Sequence, residues 1–438
     1  MADIQQDPPS VFLLGATGFV GSHFVRLLAQ SLPEHRVFAL VRSLTLARRD
    51  VLSSLHPNIV PVEGTLDDAP LITEWASKCP ITVNAANSDD FPLVKALLAG
   101  LEANSQANPG RPPLYIHLSG LGLISDNCRG EQLDESKVHI WSDLDFHPNR
   151  VEPTNSHFRE DSAVVDAGMR TDLPIRTIVV YPSWIYGVGE GPAKSTVGVR
   201  MFYDMFKKAG AAGTWGPGAN RLPSTHVKDV ASAVFTVLKA ALEGRAEEGK
   251  EGIYFATSDN SMVSMHEYTS VMGEWMHARG LLPSPKSTPL PASVTEPFGE
   301  LGWSRVGGSE WAKSERLYRL GWEPVESRKR SILQSLPDEL EVVYAADNAG
   351  EDGEHVTEGL GEDAYLTSSQ RKSTASAVWS GARQRRNEHG ERVEKPSTSN
   401  YRASEDRQSD WMRVRSCWRG TTLLSLIVCQ PGILRRHH

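Results

Sequence analysis

Val11-Phe12-Leu13-Leu14-Gly15-Ala16-Thr17-Gly18-Phe19-Val20-Gly21-Ser22 places four apolar residues, a glycine-rich turn and the start of a helical pattern in immediate succession. Gly15 lets the chain leave a buried strand through a backbone conformation that side chains disfavour, and Gly18 lets the main chain approach a ligand closely. Gly21 lets the following helix pack tightly on the strand. Val20, Phe24, Leu27 and Leu28 recur at helical spacing, which supplies the strand–turn–helix context that a bare glycine triplet lacks. A helix starting there aims unpaired N–H groups and its positive dipole end at whatever occupies the turn. The stretch therefore predicts a phosphate-binding turn of the dinucleotide type, contributed by Gly15, Thr17, Gly18, Phe19, Val20 and Gly21.

Working outward, apolar strand-like runs alternate with helical patterns. Val37–Val41, Ile59–Val62, Ile81–Val83, Leu114–Leu118 and Ile175–Val180 read as the second to sixth strands. Such alternation predicts an α/β fold, a Rossmann-type doubly wound parallel sheet with ligands beyond the carboxyl ends of its strands. Val230, Ala233, Val234, Val237, Leu238 and Ala241 keep one apolar helical face, followed by a short strand Ile253–Phe255 and a helix from about Met265. These later pieces are expected to form a smaller C-terminal cap. The organisation predicted is a dinucleotide-binding core at 9–182, a mixed region at 183–345 that completes the sheet and forms the substrate cap, and a tail at 346–438. From near Asp347 the chain turns rich in Gly, Ser, Glu, Arg and Gln without sustained periodicity, the composition of a disordered extension. Its apolar run Leu423–Val428 is too short to span a bilayer.

The 438 residues, 39% of them hydrophobic, suffice for a sizeable core. A net charge of −8 with no basic stripe over the first three-quarters argues against a nucleic-acid partner. The four cysteines, Cys79, Cys128, Cys417 and Cys429, lack metal-ligand spacing, and the 14 histidines show no ligand-like grouping, so neither a metal nor a disulfide framework is expected. Met1–Asp7 has no basic or leader-like segment and no apolar run reaches membrane-spanning length. The expectation is a cytoplasmic protein without a membrane partner.

Four further motifs follow in order: Gly64-Thr65-Leu66-Asp67, Pro182-Ser183-Trp184-Ile185-Tyr186-Gly187, His226-Val227-Lys228-Asp229-Val230-Ala231 and Leu320-Gly321-Trp322-Glu323-Pro324. With the glycine turn, they make residues 10–345 resemble the extended short-chain dehydrogenase/reductases, the epimerase/dehydratase group. The resemblance implies a nicotinamide dinucleotide cofactor, and it adds Asp67, Ala85, Ala86 and Pro182 to the binding set. It also implies a small-molecule substrate and the homodimer common in that family. His226 and Asp229 read as structural, a helix start packing on the sheet.

Cofactor choice turns on the end of the second strand. An acidic residue there binds the ribose hydroxyls of NAD, whereas Arg accommodates the added phosphate of NADP. This chain has Arg42, followed by Arg48 and Arg49, which predicts NADP(H) over NAD(H).

The family's catalytic Tyr and Lys, four residues apart, are missing. Between Ile116 and Val180 there is no tyrosine, and the only lysine is Lys137. Registering His157–Ala167 on the family's helix puts His157 at the Tyr position and Asp161 at the Lys position, one turn apart on one face. Ser119 is the hydroxyl nearest the family's Ser/Thr site, with Gly120 as the alternative occupant of that position. Three readings stay open. His157 acts as general acid or base with Asp161 orienting its ring; the site has lost redox chemistry; or Tyr186 or a water held by Ser119 carries the proton. Trp184, Trp215, Arg200 and Arg221 are either a clamp for a flat or nucleotide substrate or ordinary core and surface residues. At the level of function, an atypical oxidoreductase or epimerase-like enzyme acting on a small carbonyl, alcohol or sugar-derived compound competes with a non-catalytic NADP(H) sensor.

Overall fold

The computed structural model describes residues 9–260 and 262–349. Strands β1 (Val11–Leu14), β2 (Val37–Val41), β3 (Ile59–Glu63), β4 (Ile81–Asn84) and β5 (Leu114–Leu118) join the strands Arg176–Pro182 and Ile253–Ala256 in one sheet. The order across the sheet is Ile253–Ala256, Arg176–Pro182, β5, β4, β1, β2, β3. All neighbours run parallel, with Leu14 opposite both Leu40 and Asn84. The chain winds outward from β1 to β3 and returns to β4 on the other side, so a crevice opens where β1 and β4 diverge.

Parallel strands buried on both faces need apolar side chains on both, and β1 has no exposed residue. Leu13, Val83, Ile116 and Val180 pack on one face with Phe24 and Leu28 of α1 (Phe19–Ser31). Phe12, Leu14, Tyr115 and Tyr181 pack on the other with Leu97 and Val165. The helix Val227–Leu242 buries Val230, Ala233, Val234, Val237, Leu238 and Ala241 in the same cluster as α1. It therefore covers the sheet instead of roofing a cap, and the strand Ile253–Ala256 extends the sheet edge. The expected cap assignment of these two pieces is corrected accordingly: their apolar faces are buried against the sheet and helix α1.

A third apolar cluster, built from Phe202, Phe206, Trp215, Tyr268, Met272 and Leu336, forms the smaller substructure beside the sheet. The last helix, Ile332–Asn348, begins with a capping box at Ser331 and Gln334 and runs beyond residue 346, where the tail was expected to begin. The tail from residue 350 onward, with Leu423–Val428, lies outside the described residues.

A Cβ placed on Gly21 would fall 2.0 Å from the Gly15 carbonyl oxygen, a backbone contact that no rotamer change relieves. Gly21→Ala is expected to lower stability by about 1–3 kcal/mol, the usual cost of overpacking. A shifted urea midpoint with unchanged slope checks it.

Candidate functional site

The crevice is built first by backbone. Gly15 follows β1 with φ +89°, and a Cβ there would lie 2.4 Å from the Ala85 carbonyl oxygen. The Ala85 N–H in turn donates to the Leu14 carbonyl at 3.0 Å. Gly18 is the N-cap of α1, without a side-chain cap and without an acidic residue in the first turn. That start presents N–H groups and a positive dipole end with no acidic side chain in the helix's own first turn. Val20 is buried in the core, so it faces a ligand only through its main chain. Thr17 and Phe19 line the same turn half-buried. Arg42 and Asp67 follow β2 and β3 and are exposed, Ala86 follows β4, and Pro182 ends its strand. All these residues stand at the carboxyl edge of the sheet. Arg48 folds back, donating to the Ser43 carbonyl at 3.3 Å.

Beside this turn lies a buried polar cluster. The Ser119 hydroxyl, just past β5, donates to Asp161 Oδ2 at 2.7 Å. Asp161 Oδ1 lies 3.5 Å from His117 Nε2, both side chains fully buried. Asn84, its amide oriented by the Asn87 carbonyl and the Ala86 N–H, donates to His117 Nδ1 at 3.4 Å, and the Tyr115 hydroxyl meets the same nitrogen at 2.9 Å. Nδ1 is thus assigned as acceptor, and the ring proton sits on Nε2 toward Asp161.

His157 stands differently from the expected register. Helix α5 spans Phe158–Gly168, and His157 is its N-cap in a left-handed conformation, φ +69°. It therefore does not share a helix face with Asp161; the Asp161 N–H donates to the His157 carbonyl at 2.9 Å instead. The carboxylate that orients the ring is Asp89, with Oδ1 2.7 Å from His157 Nδ1, while Asp89 Oδ2 is 2.6 Å from Arg305 Nη2. The other ring nitrogen points over Gly120, where a Cβ would come within 2.9 Å of Nε2. The imidazole thus fills the space a hydroxyl side chain at position 120 would need.

Burial and charge sort these groups. His157 and Arg305 hold Asp89 well below the usual carboxylate range despite its burial. Burial alone would push His157 down, but the Asp89 carboxylate outweighs it and raises the imidazole above 6.5. Burial pushes Asp161 up to about 7, against the lowering by His157 and the Ser119 hydroxyl. Burial also lowers His117 to about 3, which leaves it neutral, and raises Glu310 to about 8. One imidazole is favoured as a cation while a neighbouring carboxyl retains its proton close to neutrality, a pattern suited to moving protons.

The other candidates resolve into structure. Trp215 is fully buried against Phe202 and Phe298, and Trp184 packs on Phe202 and Tyr268. Arg200 pairs with Asp204 at 2.7 Å and Arg221 donates to the Met262 carbonyl at 3.3 Å. Trp184 is half-buried and lines a cavity with Leu222, Val263, Met265 and Tyr268. Asp229 accepts from the Glu326 and Ser327 N–H groups and the Ser327 hydroxyl, and His226 caps its own helix. The Tyr186 hydroxyl donates to the Arg330 carbonyl at 2.6 Å. Sequence reasoning missed Asp89, His117, Arg305 and Glu310. The polar run Asn84–Asp90 directly after a strand and a histidine inside β5 were signals for the first two; Arg305 and Glu310 carried none.

No protein-family model matches the chain. It is 27% identical over 334 residues to the oxidase ucsJ of an Acremonium species, an alignment covering 72% of this chain and 92% of that protein. Among solved structures, it is similar to the dTDP-glucose 4,6-dehydratase of Bacillus anthracis in complex with NAD, with TM-score 0.51 and 16% identity over 80% of this chain and 99% of that one. The dTDP-glucose 4,6-dehydratase DesIV of Streptomyces venezuelae with NAD bound gives TM-score 0.51 and 18% identity over 78% and 98%. The chain has the fold of the extended short-chain dehydrogenase/reductases.

Asp161→Asn copies the neutral carboxyl without its titration. The unfolded value is 3.8 and the folded one about 7, so the folded state holds an extra proton between them. Wild-type stability therefore falls as pH rises through that window. Relative to wild type, the variant should gain about 1 kcal/mol or more between roughly pH 4 and pH 8, read by urea unfolding at several pH values. A constant difference would place Asp161 among ordinary carboxylates.

Proposed function

We propose that this protein is a nicotinamide-dinucleotide-dependent oxidoreductase, preferring NADP(H) to NAD(H), that acts on a small carbonyl or alcohol with His157 in the role its fold relatives give to tyrosine. The observation that carries this reading is the His157–Asp89 pair, set with Nε2 over Gly120 beside the glycine turn. The cradle of Gly15, Gly18 and Gly21 at an uncapped helix start fits a diphosphate, and Arg42 stands where the ribose 2′ substituent is read. The 27% identical oxidase supports redox chemistry.

When bound, the nicotinamide supplies or accepts the hydride. The chain's own residues then manage the oxygen. As hydride adds to a carbonyl carbon, the C=O pair moves onto oxygen, and His157 Nε2 gives that oxygen its proton. Asp89 keeps the ring oriented and stabilises its cationic form beforehand. In the reverse direction neutral His157 takes the proton. Reduction should therefore fall as pH rises through the raised imidazole pKa, and oxidation should rise.

A second reading has one observation behind it. The Ser119 hydroxyl is spent on Asp161 and not offered to a substrate, as suits a dinucleotide-binding sensor.

Fluorescence titration should show tighter binding of NADPH than NADH, and Arg42→Ala should narrow the gap by about tenfold, some 1.4 kcal/mol. Offered aldehydes, ketones and quinones, the NADPH-loaded protein should oxidise its cofactor, with kcat/KM about 10²–10⁴-fold lower in His157→Ala. Unchanged turnover in His157→Ala removes it from the mechanism, and tight binding with no turnover on any compound leaves the sensor.

A further inference from the structure

Three polar heads from separate side chains converge over Gly122. A Cβ built there would lie 2.6 Å from Ser156 Oγ, 3.7 Å from His157 Nε2 and 3.8 Å from Glu310 Oε1. Ser156 Oγ is buried and has no hydrogen-bond partner. Glu310 is 6% exposed, and its carboxyl stands with His157 and Asp126. Buried polar groups are nearly always paired, so the unpartnered Ser156 hydroxyl calls for a partner from outside the chain.

The positions are built, not accidental. Ser156 sits next to His157, whose left-handed turn sets the direction of the chain there. Glu310 arrives on a segment held at both ends of its approach: the Ser309 N–H donates to Asp126 Oδ1 at 2.8 Å, and the Glu310 N–H to the Arg221 carbonyl at 3.1 Å.

We propose that Ser156, Glu310 and Nε2 of His157 form a three-point seat for the oxygens of a carbonyl compound carrying a second oxygen function beside the reacting one. This rests on the hydride-transfer reading above. Ser156 and Glu310 donate to or accept from the second oxygen, and Glu310 keeps its proton throughout. Glu310 faces His157 and Asp126, and His157 pairs with Asp89 through Nδ1, which leaves Nε2 directed at the seat.

The full chain labelled with ¹³C at the glutamate carboxyls tests this by NMR, the Glu310 signal being the one lost in Glu310→Gln. Three probes of similar size separate the requirements: acetoin, neutral with two oxygens; 2-butanone, neutral with one; and pyruvate, anionic. The Glu310 signal is expected to titrate above the exposed glutamates and to shift with acetoin and with pyruvate, with at least tenfold weaker response to 2-butanone. Ser156→Ala should weaken acetoin binding without changing the affinity for NADPH. An equal response to 2-butanone, or a Glu310 signal indifferent to all three, overturns the proposal. A chain that binds no dinucleotide overturns the hydride-transfer reading instead, and the carboxyl signal tells the two failures apart.

Discussion

Backbone meets backbone at Gly15 with no room for a side chain, and the architecture of the crevice depends on that contact. Gly15 touches Ala85 across the β1–β4 divergence while Gly21 rests on the Gly15 carbonyl. The same packing that fastens helix α1 to the sheet exposes its first N–H groups at the strand ends. A tight core and an anion-attracting turn are thus one feature seen from two sides.

Electrostatics differentiates the cluster beside the turn. Asp89 and Asp161 both approach imidazoles, yet they are driven in opposite directions. Asp89 meets His157 and a guanidinium, and its charge is stabilised. Asp161 is enclosed with a neutral His117 and one hydroxyl, and burial favours its protonated form. The two carboxyl groups repel when both are charged, which widens the separation. A site that lacks the tyrosine and lysine of its fold relatives still holds groups in complementary protonation states.

The fold was legible because its signals are local: four apolar residues before a glycine turn, alternation of strand and helix, and one-sided helical faces. The carboxyl edge of the sheet was legible for the same reason, since a strand end predicts its own next residues. The polar cluster was only partly so. His157 was found by register, but its partner was assigned by helical spacing, and helical spacing fails for a residue that precedes the helix with φ +69°. Asp89 belongs to a loop after another strand, and only the sheet order brings it to the ring. Periodicity likewise found the helix Val227–Leu242 and the strand Ile253–Ala256 without saying which layer they join, because an apolar face does not name what it packs on.

The pair between Asp89 and Arg305 joins positions 216 residues apart. Loop-closure entropy grows only slowly with such a span, but time of synthesis does not. During translation the five N-terminal strands and the glycine turn emerge long before Arg305 and Glu310. A nascent or truncated chain carries the glycine turn without the side chains that complete the polar cluster beside it, so the two halves of the crevice are acquired at different moments in the life of the molecule.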